Sequence, residues 1–368
     1  TPLYSSAASD VYKRQTYTLM MMIYSLINVP YASLLGVMSV NPQTRTEFSS
    51  YRMTFAFGGS ILVLALVEPL TDFFSRMKLV DGLPSMAFGW QMVAVVFAVM
   101  ATCMFLLTFL WTKERIRPIL EKKSSLKNDL KDLGVNKPWW ILLGASVMVL
   151  VFNSLRDGAA VFYFKYYVTG SDLWSFSIMD ASLTLITIYL VLGQAFNIVG
   201  ILCVPALTRA IGKKLTFLSA MAVATVLSII FYFLPKDMVV AILSMQILIS
   251  FCAGIVSPLM WSMYADIADY SEWKTGRRAT GLIFSSSSMS QKLGWTIGGS
   301  LSGWLLFYFG FEANVVQTET ALTGICLMMS VLPACATLIS VLFISRYPLS
   351  EKKISEITKE LEARRKEV

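Results

Sequence analysis

"ADIADYSEWKTGRRATG", residues 265–281, gathers three acids and three bases into seventeen positions of a chain that elsewhere avoids charge. The runs beside it, 238–263 and 280–308, are predominantly apolar. Each is long enough for a helix to cross a hydrocarbon core of about 30 Å. Charge concentrated between two such runs marks a short loop in water. Outward from this point the same reading repeats. Apolar stretches at 16–38, 52–70, 89–111, 139–168, 181–205, 215–234, 238–263, 280–308 and 321–345 give nine candidate transmembrane helices. None alternates with a period of two, which argues against a β-barrel. Composition agrees: 56% of residues are hydrophobic and 15% charged, whereas a soluble domain carries about 25% charged residues.

The loops alternate in basicity. One set holds Arg45 and Arg52, the bases of 112–138, then Arg209, Lys213 and Lys214, and finally Arg346 and the tail from Lys352 to Lys366. The other has only Arg76, Lys78, Lys165 and Lys236. The positive-inside rule places the first set, and the C-terminus, in the cytoplasm. The net charge of +8 therefore belongs to a membrane surface and not to a nucleic-acid site. Three spans, in 16–111, precede the central cytoplasmic loop 112–138; six, in 139–347, follow it. Residues 348–368 form a cytoplasmic tail in which Ile354, Ile357 and Leu361 share a helical face, read as a short solvated helix. An odd span count with an inner C-terminus puts the first residue outside, so preceding spans are expected to be missing. "SSAASDVYKRQ" (5–15) resembles translated sequencing-adapter DNA, and residues 1–15 are set aside as an artefact.

The chain has no histidine, and its five cysteines lack CxxC spacing. A metal framework, a cofactor site and a nucleophile–base pair all lack their usual residues, so an enzyme is not expected.

Polar groups inside a span are costly and mark function by default. Three groups stand out. Tyr24, Ser25, Asn28 and Tyr31 recur at three- and four-residue spacing around Pro30 and share a face. Hydroxyls, an amide and rings on one face suit a sugar; they equally suit a polar clamp between helices. Asn153, Arg156 and Asp157 form the second group. Arg156 and Asp157 point about 100° apart on a helix, and the alternative is a charge link to neighbouring helices. In the third, Lys292 lies about 18 Å into its helix at 1.5 Å per residue, with Ser285 and Ser288 on its face. Gly294/Gly298 and Gly299/Gly303 have the spacing of close helix contacts. A lysine at that depth fits a substrate path or a buried pair. The Trp139–Trp140 pair reads as an interfacial belt.

Together these stretches resemble the glycoside–pentoside–hexuronide:cation symporter family, the melibiose-permease-like branch of the major facilitator superfamily. The resemblance is carried by "NVPYASLLGVMSVNPQTRTEFSSYR" (28–52), "GAAVFYFKYYVTG" (158–170), "DIADYSEWKTGRRATGLIFSSSSMSQKLGWTIGG" (266–299) and "RYPLSEKKISEI" (346–357). It implies an all-α membrane protein with twelve helices in two bundles, of which nine, the fourth to twelfth, are present here. It implies symport of a sugar with Na+ or H+ by alternating access in the bacterial inner membrane, without another cofactor. Asn28 falls on a sugar-binding carboxylate position, Ser25 on a hydroxyl of the cation site that Asn28 would share, Arg52 on a sugar-pocket arginine and Lys292 on a midplane lysine. Substrate contacts are thus expected at Tyr24, Asn28, Tyr31, Arg52, Ser288 and Lys292. Asn in place of aspartate at 28 resembles the pentoside and hexuronide branches. The remaining cation ligands would lie on helices absent from the chain. Asp266, Asp269, Glu272, Arg277 and Arg278 are expected to form a cytoplasmic gate, with Arg45 opposite. The alternative is a related carrier for a lipid or a peptide-linked sugar.

Overall fold

The computed structural model describes residues 2–39, 41–80, 83–112, 131–168, 176–178, 181–183, 185–276 and 280–366. The described chain is built from long helices. These are α1 (Pro2–Met38), α2 (Pro42–Ser75), α3 (Met86–Trp111), α4 (Lys137–Phe162, continued by a π-turn at Tyr163–Tyr167), α5 (Leu185–Tyr232), α6 (Val239–Thr275), α7 (Thr280–Tyr308), α8 (Glu319–Met329), α9 (Val331–Ser345) and α10 (Glu351–Lys366). Two short antiparallel hairpins, Leu79–Val80 with Leu83–Pro84 and Phe176–Ile178 with Ala181–Leu183, are the described strands.

Local chemistry sets the helix ends. The Asn41 side chain accepts from the Gln43 amide at 2.8 Å, and Pro42 fills the first turn of α2. Asn136 accepts from the Trp139 amide at 3.2 Å ahead of α4. Both satisfy an amide that the helix leaves without a carbonyl partner. α6 stops at Gly276, whose φ of 70° is left-handed and costs glycine least.

Six helical segments are long and apolar enough to cross a membrane among the described residues; nine were expected. The difference has three sources. α5 runs 48 residues through Gly212, at φ 80°, and absorbs two expected spans. α7 carries Ser285–Ser288, Gln291 and Lys292, which lower its hydropathy below that of a lipid-facing span. In α2, the side chains of 64, 65 and 68 fall outside the described residues. Helix α1 passes through residue 15 without a break.

Glycine contacts draw the second half of the chain together. A Cβ at Gly200 would stand 2.2 Å from the Phe251 carbonyl, and one at Gly254 2.2 Å from the Asn197 carbonyl. α5 and α6 therefore meet backbone to backbone. Likewise a Cβ at Gly294 would stand 2.4 Å from Leu150 Cβ, and one at Gly298 2.5 Å from Ser154 Cβ, which seats α7 on α4. Gly303 meets nothing within 4 Å, so one of the two expected glycine pairs makes this contact.

Two expectations are corrected. Trp139 is buried and donates from Nε1 to Ser286 Oγ at 2.6 Å; only Trp140 has the exposure of a belt residue. The tail helix α10 is not free in solvent: Ile354, Ile357 and Leu361 are buried in the core cluster that includes the end of α6. Trp273 of α6 donates to Glu360 at 2.6 Å.

Candidate substrate cavity and inner closure

α2 crosses the face formed by α4, α5, α6 and α7, and a cavity of about 270 Å³ lies at that junction. Met53 and Phe57 of α2 form one wall. Opposite stand Asn153, Arg156 and Asp157 of α4, Gln194 and Asn197 of α5, Gln246 of α6, and Gln291 of α7, with the indoles of Trp261 and Trp295. Amide groups able both to donate and to accept, beside aromatic faces, are the chemistry that reads hydroxyls and stacks on C–H surfaces.

Arg156 is the best-anchored group in this wall. It is 5% exposed. Its guanidinium donates to the Met329 carbonyl at 2.6 Å, to Tyr189 Oη at 2.9 Å and to Gln246 Oε1 at 2.7 Å. Phe231 lies 5.1 Å beneath it. Its hydrogen-bond partners are neutral, and Asp157 is not among them. As the sequence suggests, neighbours on a helix point apart. The π-turn after α4 then directs Tyr163 and Tyr167 into a stack at 5.0 Å.

The other expected substrate residues flank the cavity without lining it. Arg52 lies over the rings of Tyr31 at 4.7 Å and Trp261 at 4.3 Å, so it backs the cavity wall through Trp261. Arg52 and Tyr31 also border a separate pocket of about 230 Å³ between α1, α2 and α3. Lys292 donates to Ser25 Oγ and stands 6.0 Å from the Tyr24 ring. The two residues read separately, as a sugar contact and as a cation contact, are here each other's partners. Ser288 is buried, and its hydroxyl has no hydrogen-bond partner among the described residues. Asn28 is half-buried and lines neither of these pockets.

Toward the end carrying the basic loops, the junction is shut. Arg45, fully buried, pairs with Asp269 and lies 3.8 Å from Asp266. Lys213 Nζ meets Asp266 Oδ2 at 2.6 Å. Two cations and two carboxylates thus close on one another, Arg45 from α2 and the rest from α5 and α6. Around them Gln43 reaches the Pro205 carbonyl at 3.1 Å, Thr46 meets Ser262 at 2.9 Å, and Ser49 donates to the Pro258 carbonyl at 2.7 Å. Glu272 is buried beside this cluster on α6. Arg277 and Arg278 lie outside the described residues. Lys213 was legible only as one more basic loop residue, because nothing in "GKKL" separates the buried lysine from Lys214. Gln194, Asn197 and Gln246 did leave a signal: isolated amides in long apolar runs, the first two three residues apart on one face.

A polar, aromatic-lined cavity between two groups of helices, closed at one mouth by ion pairs, defines a membrane carrier. The family model for MFS/sugar transport proteins matches residues 1–351, and the chain belongs to that family of transporters, in the branch of the glycoside–cation symporters. It is 28% identical over 98% of its length to the "putative glycoside/cation symporter YagG" of Escherichia coli K12, of which it covers 75%. It is 32% identical over 88% of its length to the "isoprimeverose transporter" of Lactiplantibacillus pentosus, of which it covers 64%. Among solved structures it resembles the major facilitator transporter FucP, with a TM-score of 0.58 at 12% identity, over 87% of this chain and 72% of that one. That likeness speaks to the all-helical fold.

Proposed function

We propose that the chain carries a sugar or glycoside, of the pentoside or hexuronide type, across the bacterial cytoplasmic membrane together with Na+ or H+, with its C-terminus in the cytoplasm. The carrying observation is the cavity at the junction of α2 with α4–α7, where amides, Arg156, Asp157 and two indoles converge. Its amides match a polyhydroxylated solute, and its indoles match the C–H face of a pyranose. The relatives' names, a glycoside/cation symporter and an isoprimeverose transporter, support the same class.

Alternating access requires two states that differ by a few kcal/mol. The Arg45–Asp269 pair spans the junction at the inner mouth, Lys213 holds Asp266 beside it, and together they bias the junction toward closure on that side. Arg52 with Tyr31, and Lys292 with Ser25 and Tyr24, come into play as the halves rock. Asn28 and Ser288 stand near the same α1–α7 contact. Whatever completes the relatives' greater length belongs to this proposal as well.

The test is substrate binding by the purified chain in lipid nanodiscs, read by calorimetry against isoprimeverose, a methyl β-xyloside and a methyl β-glucuronide. Saturable binding of one of these, weakened by Asn197→Ala and Gln246→Ala, is the expected result. Indifference of all three sugars to a well-folded chain would overturn the reading.

A further inference from the structure

Asp157 differs from Asp266 and Asp269, the carboxylates of the ion-paired closure. Asp266 and Asp269, at the inner mouth, each pair with a cation. Asp157 lines the cavity and has no hydrogen bond or ion pair within 4 Å among the described residues. It is the one acid among the residues lining that cavity. It stands five residues past the middle of the 31-residue span Lys137–Tyr167, about 8 Å at 1.5 Å per residue, so it lies well inside the membrane's apolar zone. An ionisable group at such a depth marks a substrate or proton path by default.

The surrounding charges leave it in this position. Arg156, its neighbour on α4, directs its guanidinium to Met329, Tyr189 and Gln246. Tyr189 Oη of α5 accepts from that guanidinium. The neutral amides Gln194, Asn197, Gln246 and Gln291 share the cavity lining with it. Arg52 of α2 is stacked on Trp261 and Tyr31, and Lys292 of α7 is held at Ser25. Among the described residues no group of three or more acidic, histidine or cysteine side chains could hold a metal ion. A single carboxylate, wet while the cavity is open and dry once it closes, is suited to one proton.

Resting on the transport reading above, we infer that Asp157 binds the coupling proton. A proton from water adds to a carboxylate oxygen of Asp157 as the sugar enters, which neutralises the one carboxylate lining the cavity. The neutral carboxyl donates to a sugar hydroxyl and lets the cavity close. When the opposite mouth opens, water re-enters, the proton leaves to that side, and the restored carboxylate releases the sugar. One proton and one sugar cross together.

The sign of the pH dependence follows. Binding that favours the protonated group is strongest at low pH and weakens by about tenfold per pH unit once the carboxylate dominates the free state. The test uses the whole chain in nanodiscs and has two arms. In the first, without sugar, infrared difference spectra follow carboxyl protonation from mildly acidic to mildly alkaline pH in the unaltered chain and in Asp157→Asn. In the second, isoprimeverose is titrated in two buffers of different ionisation enthalpy, which counts protons taken up on binding. Expected are a titrating carboxyl band lost in Asp157→Asn, and proton uptake that approaches one per sugar. Asp157→Asn should bind with pH-independent affinity, and Asp157→Glu should restore the dependence. A carboxyl band unchanged in Asp157→Asn, or sugar binding without proton uptake, would overturn the inference. So would affinity set by Na+ alone. No binding of sugar at all, with the titrating band present, would instead count against the transport reading and leave Asp157 as a protonation site.

Discussion

Lys292 shows how much depth alone can tell. Its distance from the start of its helix put an ammonium near the midplane, and the fold supplies the hydroxyl of Ser25 and the ring of Tyr24 as its surroundings. That contact joins α1 to α7, so the lysine acts at least as a strut between the two helices. Lys292→Ala is expected to reduce sugar uptake at least about tenfold, equivalent to some 1.4 kcal/mol, while membrane insertion stays intact. Lys292→Arg should recover part of the loss. Uptake by a full-length carrier with each change decides it, and near-normal uptake by the alanine variant would make Lys292 a packing group. The neighbouring amides teach the opposite lesson. Gln194, Asn197 and Gln246 are as visible in the sequence as Asn28, but an amide does not say which helix it faces until the helices are packed. Arg156 is similar: a charge link between helices was one reading of it, and its link runs to neutral acceptors on α5, α6 and α8 instead.

At the scale of one helix, α7 divides into a face that must be glycine and one that need not be. Gly298→Ala would set a methyl 2.5 Å from Ser154 Cβ and 2.7 Å from its hydroxyl. Forcing α7 off α4 in this way should cost about 1–3 kcal/mol. Gly303→Ala meets open space, and alanine's better helix propensity should make it neutral or slightly stabilising. Thermal unfolding of both variants in one detergent provides the comparison; equal melting temperatures would contradict the packing described. The GxxxG spacing was legible, whereas the choice between the two pairs needed the neighbour. The tail helix makes the same point. Ile354, Ile357 and Leu361 announced an amphipathic helix, and only the fold shows that its apolar stripe lies against the chain's own α6, with Trp273 bonded to Glu360. α5 is the case where the sequence reads better than helix continuity: its two arms on either side of Gly212 occupy the two apolar runs expected there.

For the molecule as a whole, the proposed transport cycle turns on the ion-paired closure at the basic-loop end. Arg45→Ala would leave Asp269 and Asp266 buried without that cation. Breaking one partner of a buried pair costs about 3–5 kcal/mol, charged here to the inward-closed state, so the inner mouth should open. Thr46 and Ser262, 2.9 Å apart at that mouth, give a reporter: Ser262→Cys, in a background without the native cysteines, should gain reactivity from the cytoplasmic side when Arg45→Ala is added. The acids of 265–281, expected in a loop in water, instead lie buried on the last turns of α6; their meeting with Arg45 was legible as an expectation, while Lys213 emerged only from packing. The central claim, that sugar binds at the junction of α2 with α4–α7 while the inner mouth is shut, has one direct test. Asn197→Cys, on the cavity wall, is labelled by a membrane-impermeant thiol reagent in vesicles of known orientation, with and without isoprimeverose. Labelling from the outer side, slowed by the sugar, and labelling from the inner side only after Arg45→Ala, is the predicted result. Equal labelling from both sides, or labelling that a bound sugar does not change, would contradict it.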